Sequence, residues 1–284
     1  MASVKPDASA HKSHGMGLHA ERLAGRAQQI FFNATEEENF TYPWSFEVDL
    51  GKRAAFDAVD MDAAAINRQI RELMQSGAGD ITVKNPRARH GVGVGILNRL
   101  RLTFEGSLGY FGCGLVDGPN IRISGRVGWS CAENMMAGSV VVEKNAGSTF
   151  GAAMRGGDLV CKGDVGSRTG IDQKGGSIIV GGKTGAFSGF MMQRGRMVVC
   201  GDAGKNLGDS MYDGVIYVGG AVEGLGVDCV PGEMSDTDLQ WLKRKLAMYD
   251  ISPACGVENM KKFVSGKQLW NYDNLEPAEK KLVL

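Results

Sequence analysis

The sequence lacks an excess of charge of either sign. Its 284 residues include 32 Lys and Arg and 32 Asp and Glu, so there is no net field to attract nucleic acid or a membrane surface. It also lacks a long apolar run near its start, where His11, His14 and His19 lie among Gly, Ala and Ser. Such a segment resembles neither a signal peptide nor a membrane span. We therefore expect a cytoplasmic protein with solvated tail histidines that binds neither nucleic acid nor membrane.

Closely paired cysteines are absent as well. No C-x-x-C spacing occurs among the six cysteines, which are Cys113, Cys131, Cys161, Cys200, Cys229 and Cys255. This argues against a zinc or iron–sulfur site and against a disulfide framework. Cys161 and Cys200 lie in or beside short apolar runs, where a free thiol packs as a small apolar side chain. The prediction is reduced core thiols in a reducing compartment.

Glycine, in contrast, is abundant and periodic. The chain has 42 glycines, and between residues 106 and 220 one of them recurs at every nineteenth position, with Lys144 in the single gap. The members of this row are Gly106, Gly125, Gly163, Gly182, Gly201 and Gly220. A second row with the same period runs from Gly109 to Gly204, and a third, near the far end of each coil, runs from Gly118 to Gly214. A fixed period of this length predicts a solenoid.

Each row of the repeat also contains a short β-branched run and no helical pattern. The runs are residues 121–123, 140–142, 159–161, 178–180, 197–199 and 216–218. A helix of ten or more residues does not fit into so short a coil beside a strand. The sequence therefore predicts an all-β fold, a parallel β-helix with coils of about 19 residues stacked in register.

Equivalent positions of successive coils should form ladders along the solenoid. One ladder is Val116, Met135, Met154, Gln173, Met192 and Met211, and a second is Leu108, Val127, Ala146, Val165, Thr184 and Ala203. Both are mostly apolar, so we predict that they point inward, with methionine filling an irregular interior.

Two physical reasons can place a glycine at the same position in every coil. Either the corner requires a positive φ, or a neighbouring backbone lies too close for a Cβ. Both reasons remain open for Gly166 and Gly185. A dinucleotide-binding fingerprint is disfavoured, because Gly163, Gly166 and Gly170 precede no helical pattern and have counterparts in other rows.

The flanking segments predict caps for the solenoid. Residues 46–50 alternate like a strand, and residues 61–76 form an amphipathic pattern that Asp60 or Asp62 can cap. Ser235 and Asp238 have the spacing for reciprocal capping of a second helix. An aromatic tail with Trp270 and Tyr272 follows, and it packs either on the solenoid or on another protein.

These observations divide the chain into four parts. They are residues 1–40 as a polar, flexible tail, 41–80 as a strand and capping helix, 81–232 as the β-helix, and 233–284 as a C-terminal helix and tail.

No catalytic constellation can be recognised. There is no Cys/His pair, no Ser/His/Asp set and no carboxylate pair with a reason to be close. His90, the only histidine outside the tail, is interpreted as structural, and polar residues within the rows as turn or contact residues: Glu133, Arg168, Asp172 and Lys174. A self-sufficient β-helical enzyme would need polar side chains aligned on one face, and those at equivalent positions do not repeat. We predict no catalytic, cofactor-binding or metal-binding residue.

The glycine rows resemble a known family. Residues 106–118, 125–138 and 163–176 are similar to the GXGXG domain that ends the large subunit of glutamate synthase, and the resemblance extends over residues 46–232. It implies a right-handed parallel β-helix with short helical N- and C-terminal caps. Among stand-alone members, the chain resembles the middle subunit of N-methylglutamate synthase.

The resemblance implies a structural subunit of a hetero-oligomer. The implied partners are a glutaminase (class II amidotransferase)-like subunit and an FMN-binding glutamate synthase-like subunit, which also holds the iron–sulfur cluster. The family's glutaminase uses an N-terminal cysteine, whereas this sequence begins Met1-Ala2-Ser3 and has its first cysteine at position 113. The implied reaction of the complex is formation of N-methylglutamate and ammonia from glutamate and methylamine.

Two alternatives follow from the same resemblance. One is an ordinary split glutamate synthase. The other is the glycine-row subunit of a formylmethanofuran dehydrogenase or a formyltransferase/hydrolase complex, in which similar rows occur.

Overall fold

Residues 46–267, which the computed structural model describes, wind into a solenoid whose strands form an eleven-stranded sheet. In chain order the elements are β1 (Asp49–Asp57), α1 (Ala63–Gln75), β2 (Ala78–Lys84), β3 (Arg101–Glu105), β4 (Asp117–Ile123), β5 (Ala137–Val142), β6 (Asp158–Cys161), β7 (Lys174–Val180), β8 (Arg194–Val199), β9 (Val215–Val218), β10 (Cys229–Gly232), α2 (Asp236–Met248) and β11 (Lys261–Ser265). The predictions for residues 1–40 and for the tail with Trp270 and Tyr272 lie outside the described residues.

Strands of successive coils pair in parallel at a constant offset. Leu102 pairs with Ile121 and Ile121 with Val140, so each partner lies nineteen positions further along the chain. The offset is kept from β5 through β9. The structure therefore confirms the predicted all-β parallel solenoid and the length of its coils.

The interior of the solenoid is formed by the two predicted ladders. Every member of both ladders is buried. Gln173 interrupts the methionine ladder, and its Nε2 donates hydrogen bonds to the carbonyl oxygens of Gly175 and Gly176 at 3.0 and 3.2 Å. Within the described residues its Oε1 has no hydrogen-bond partner. The prediction that these ladders point inward is confirmed.

The periodic glycines fall into two physical classes. A Cβ on Gly185 would lie 2.7 Å from the backbone nitrogen of Ser167 in the preceding coil, and one on Gly166 would lie 2.6 Å from that of Ser148. Neither glycine has a positive φ, so close approach is the reason for both. Gly195, in the row that ends each coil, has a φ of +96°, so its conformation also favours glycine, in addition to the Gly176 carbonyl oxygen that would lie 2.7 Å from a Cβ.

A turn of unusual backbone conformation joins the coils. Non-glycine residues at one coil position, from Phe111 to Asn206, have φ values between 55° and 58°, which costs L-residues energy. Their amides donate to the next coil, as from Arg168 to the carbonyl oxygen of Ala186 at 2.8 Å. Two residues later the amide donates backwards, as from Gly170 to Phe150 at 2.8 Å. These hydrogen bonds between coils offset the cost.

Helix α1 closes the N-terminal end of the solenoid. Its buried side chains Ile66, Ile70 and Met74 join the interior cluster of the coils. The helix begins two residues later than predicted, because Asp62 is the N-cap and its Oδ1 accepts the Ala65 N–H at 2.7 Å. The strand predicted at residues 46–50 is β1, which begins at Asp49 and runs to Asp57. This strand lies at the sheet edge and is mostly exposed, so its sequence shows little alternation.

The C-terminal end is closed by a strand that the sequence pattern did not reveal. Strand β11 pairs antiparallel with β9 and with β10 and contributes Phe263 to the interior cluster. Helix α2 has the predicted capping box between Ser235 and Asp238. It packs on the outer face of the sheet, where Leu242 and Leu246 form an apolar cluster with Ile179 and Val198.

Candidate functional site

The cysteine thiols are held inside the protein. All six cysteines are unpaired, and all except Cys255 are buried. Burial raises the pKa of the Cys113 thiol to about 12 and that of Cys229 to about 11. Because the thiolate is the nucleophile and the metal ligand, these buried thiols serve packing. The prediction of core thiols is confirmed for the five buried ones.

The polar residues singled out within the rows contact one another or their neighbours on the surface. The ammonium group of Lys174 pairs with Asp172, whose second oxygen accepts a hydrogen bond from Gln193 at 2.6 Å. The guanidinium of Arg168 lies 5.8 Å from the ring centroid of Phe187. The Glu133 carbonyl oxygen accepts the Leu115 amide at 2.9 Å. This arrangement supports turns and surface packing.

An open cavity of about 300 Å³ lies between α1 and residues 94–98. Phe46, the first described residue, is part of its lining together with Arg71. Asn98 holds Phe46 at this place, since its side chain exchanges two hydrogen bonds with the Phe46 backbone. The cavity is therefore bounded on one side by a residue that Asn98 fixes in place.

Charged groups near α2 hold the helix on the sheet. Asp158 accepts hydrogen bonds from Lys245 at 2.6 Å and from the Tyr249 hydroxyl at 2.6 Å. Asp238 does the same for Lys262 at 2.7 Å and Tyr217 at 2.6 Å. Burial alone would raise the pKa of Asp238, but these hydrogen bonds together hold it well below its usual range. Both carboxylates are thus engaged in fixing α2.

An exposed stack of aromatic rings runs along one corner of the first coils. The ring centroids of His90 and Tyr110 are 4.6 Å apart, and those of Tyr110 and Trp129 are 5.6 Å apart. The Tyr110 amide donates to His90 Nδ1 at 2.8 Å, so Nδ1 is the acceptor nitrogen. Tyr110 is 43% exposed and Trp129 57%. With the exposed Phe111 and Arg126, these residues form what we call the aromatic corner.

Each of the Tyr110 and Trp129 rings packs against a glycine of the next coil. A Cβ on Gly128 would lie 2.4 Å from Cδ1 of Tyr110, and one on Gly147 would lie 2.5 Å from Cδ1 of Trp129. The row of close-approach glycines thus has a second use, because it lets the rings lie against the coils. This stack was not predicted from the sequence. The signal that could have revealed it is the spacing of His90, Tyr110 and Trp129, which follow one another at intervals close to one coil.

The aromatic corner is also cationic. The three chain segments that form it, residues 85–91, 106–112 and 125–131, contain Arg87, Arg89 and Arg126 and no acidic residue. The Arg89 guanidinium donates to the Val59 carbonyl oxygen at 2.8 Å. Arg126 is exposed, and no ion pair or side-chain hydrogen bond joins its guanidinium to another residue of the described part of the chain.

Among residues 46–267, no three His, Cys, Asp or Glu side chains are grouped so that they could hold a metal ion. None of the helices in that range is both long and apolar enough to span a bilayer.

Known proteins of similar sequence and fold identify the family of this chain. The GXGXG motif family matches residues 82–233. Protein GlxC of Rhizobium meliloti (strain 1021) is 46% identical over 215 residues, which cover 75% of this chain and 93% of that protein. A chain of the formyltransferase/hydrolase complex (FhcABCD) from Methylorubrum extorquens, crystallised with methylofuran, superposes with a TM-score of 0.57 at 21% identity, over 74% of this chain and 89% of the other. At that identity the likeness shows the fold alone. The chain belongs to the GXGXG motif family.

Proposed function

We propose that this chain is a structural subunit, without an active site of its own, of a glutamate synthase-like complex. The observation that carries the proposal is that the family's glycine rows build most of the described body, residues 82–233 within 46–267. The remaining elements close its ends or cover its sheet. The buried thiols and the carboxylates beside α2 are used for packing, and this leaves the chain as a support for other subunits.

The specific complex that we propose is N-methylglutamate synthase, which converts glutamate and methylamine to N-methylglutamate and ammonia. In it, this chain would hold a glutaminase-like subunit against an FMN-binding, iron–sulfur-containing synthase subunit. The rigid solenoid supports this role, because coils joined by hydrogen bonds in both directions keep two attached subunits at a fixed separation. The buried unpaired thiols fit a reducing compartment, and we propose the cytoplasm.

Purification of the native complex tests this proposal. The full-length chain, tagged in its own host, should copurify with both partners as identified by mass spectrometry, and the complex should show flavin absorbance and an iron–sulfur spectrum. It should form N-methylglutamate from glutamate and methylamine. Formation of glutamate alone from glutamine and 2-oxoglutarate would favour an ordinary split glutamate synthase.

A different set of copurifying proteins would replace the proposal. A zinc amidohydrolase-like partner and transfer of a formyl group would indicate a formyltransferase/hydrolase complex, for which the structural likeness supplies only the fold. Isolation of the chain without any partner, or turnover of a substrate by the chain alone, would contradict a supporting role.

A further inference from the structure

We propose that the aromatic corner is a docking site for a partner subunit, and that the docked segment carries carboxylates next to an aromatic or proline side chain. The inference deepens the proposed function, on which it rests, by naming one contact surface and the chemistry of what binds there. Three features of the corner carry it: an open end of the stack, an arginine without an ionic partner among the described residues, and preorganisation by glycine.

The stack ends in an open position. Tyr110 covers one side of Trp129, whereas the residue that follows Trp129 at the same coil position is Ser148. The Ser130 amide bonds to the Ser148 carbonyl oxygen at 3.0 Å, so Ser148 lies on the adjacent coil. Its side chain is too small to continue the stack, and Trp129 remains 57% exposed. A flat side chain from another protein can occupy the place above Ser148 and stack on Trp129.

The charge of the corner selects the partner. Arg89 donates to the Val59 carbonyl oxygen and Arg87 interacts with the Asp57 carboxylate, so Arg126 carries the free positive charge of the corner. Arg126 is on the same coil as Trp129, three residues before it, with an unengaged guanidinium in the described structure. Arginine binds carboxylates in a planar, bidentate manner. The complementary surface therefore carries Asp or Glu close to the stacking side chain.

The composition and rigidity of the corner match a binding centre. Tyrosine, tryptophan and arginine are the residues that most often dominate the binding energy of protein interfaces. The rings of Tyr110 and Trp129 rest on Gly128 and Gly147, which restrains them before any partner binds. Preorganised side chains lose little entropy on binding. The fixed His90 orientation adds to this, because its Nδ1 is occupied by the Tyr110 amide.

The test uses the full-length chain and the partner that copurifies with it, with affinity measured by isothermal titration calorimetry. Trp129→Ala should weaken binding by about tenfold or more, and Trp129→Tyr should restore most of it. Arg126→Glu should weaken binding by a similar factor at low salt and by less at high salt. Ser148→Trp should also weaken binding, because the new ring fills the open place over Gly166. The matched control is Ala186→Trp, which adds a ring two coils further along and should leave the affinity within about twofold.

A photo-crosslinking amino acid at position 129 identifies the occupant. Crosslinks to a partner peptide that contains Asp or Glu beside an aromatic residue or proline support the proposal. Crosslinks to a second copy of this chain or to its own residues 1–45 overturn it. Tight binding of a single-stranded DNA oligonucleotide that is lost in Trp129→Ala would also overturn it, in favour of nucleic acid.

The two proposals can fail separately. A heteromeric complex that assembles with wild-type affinity after Trp129→Ala contradicts the docking site and leaves the supporting role intact. Circular dichroism of each variant shows whether it is folded. A chain that never copurifies with another protein contradicts the proposed function itself.

Discussion

The first and last coils of the solenoid share one backbone but present different surfaces at the same corner. In the first coils this corner carries stacked rings, three arginines and no acidic residue. In the last coils the positions equivalent to Trp129 are Ser167, Ala186 and Lys205, and the neighbouring charges alternate between acidic and basic. The coil geometry therefore does not require aromatic residues at this corner, and their presence in the first coils calls for another reason.

The outer face of the sheet also differs between the N-terminal and C-terminal halves of the solenoid, in polarity and in exposure. One ladder on this face runs through Thr103, Arg122, Val141, Val160, Ile179, Val198 and Tyr217. Its apolar members from Val160 onward are buried, together with side chains of α2, whereas Arg122 is exposed. The C-terminal half covers itself with its own helix. Among residues 46–267, no helix covers this face in the N-terminal half, and Arg122 is exposed there.

The largest difference in unfolding free energy between the two halves is expected for substitutions in the ladder that runs from Thr103 to Tyr217. Ile179→Asp places a carboxylate beneath α2 without a partner, which should lower the free energy of unfolding by roughly 4 kcal/mol or more. Thr103→Asp, at the equivalent position of the N-terminal half, lies beside Arg122 and should change it by less than about 0.5 kcal/mol. Urea denaturation of both variants measures the difference. Similar losses in the two would show that the N-terminal face is covered as well.

A somewhat smaller loss of stability is expected when a close-approach glycine is replaced. This loss should be similar in the N-terminal and C-terminal halves. Gly185→Val forces a side chain against the backbone of the preceding coil and should cost about 3 kcal/mol. Gly128→Val should cost at least as much, because its Cβ would meet Tyr110 and the Gly109 backbone. Thermal unfolding followed by circular dichroism checks both. An unchanged melting temperature for either variant would contradict the close packing of coils.

The carboxylate that holds α2 should make the C-terminal half sensitive to acid. Hydrogen bonds from Lys262 and Tyr217 lower the pKa of Asp238 in the folded protein, so its contribution is present above the unfolded value of about 3.9 and is lost as the pH falls below it. Asp238→Asn should cost about 2 kcal/mol at neutral pH. That cost should shrink as the pH falls below about 4.

Asp57 provides the matched control for the acid effect in the N-terminal half. Its pKa is lowered mainly by a hydrogen bond from Asn85, but the group is exposed to solvent. Asp57→Asn should therefore change the pH dependence of urea denaturation less than Asp238→Asn does. Equal changes would mean that the α2 contact is no more buried than an ordinary surface pair.

The regular part of the fold could be predicted because each coil repeats the same requirement. Gly166 and the strand run at residues 178–180 recur with one period, so many weak signals add up. Strand β11 has no such support. It pairs antiparallel with β9 and occurs once, so its short segment, Lys261–Ser265, gave no periodic signal.

The aromatic corner was not predicted for a related reason. His90, Tyr110 and Trp129 are far apart in sequence and differ in residue type, and only the stacking of coils brings their rings together. The sequence does place them one coil apart, but which side of the coil they face depends on the backbone of the turn. Positive φ values at residues such as Phe111 have no reliable signature in non-glycine residues.

The smallest change in unfolding free energy is expected at Trp129, the residue whose replacement should weaken binding of the partner subunit. Trp129→Ala removes a half-exposed ring whose main ring contact is Tyr110, so the isolated full-length chain should lose only about 0.5–1 kcal/mol of unfolding free energy. Ser167→Ala, at the equivalent position in the later coils, should lose almost none. Urea denaturation of both variants checks this. A loss of several kcal/mol for Trp129→Ala would mean that the stack serves folding. The difference between the first and last coils would then concern stability and not recognition of a partner.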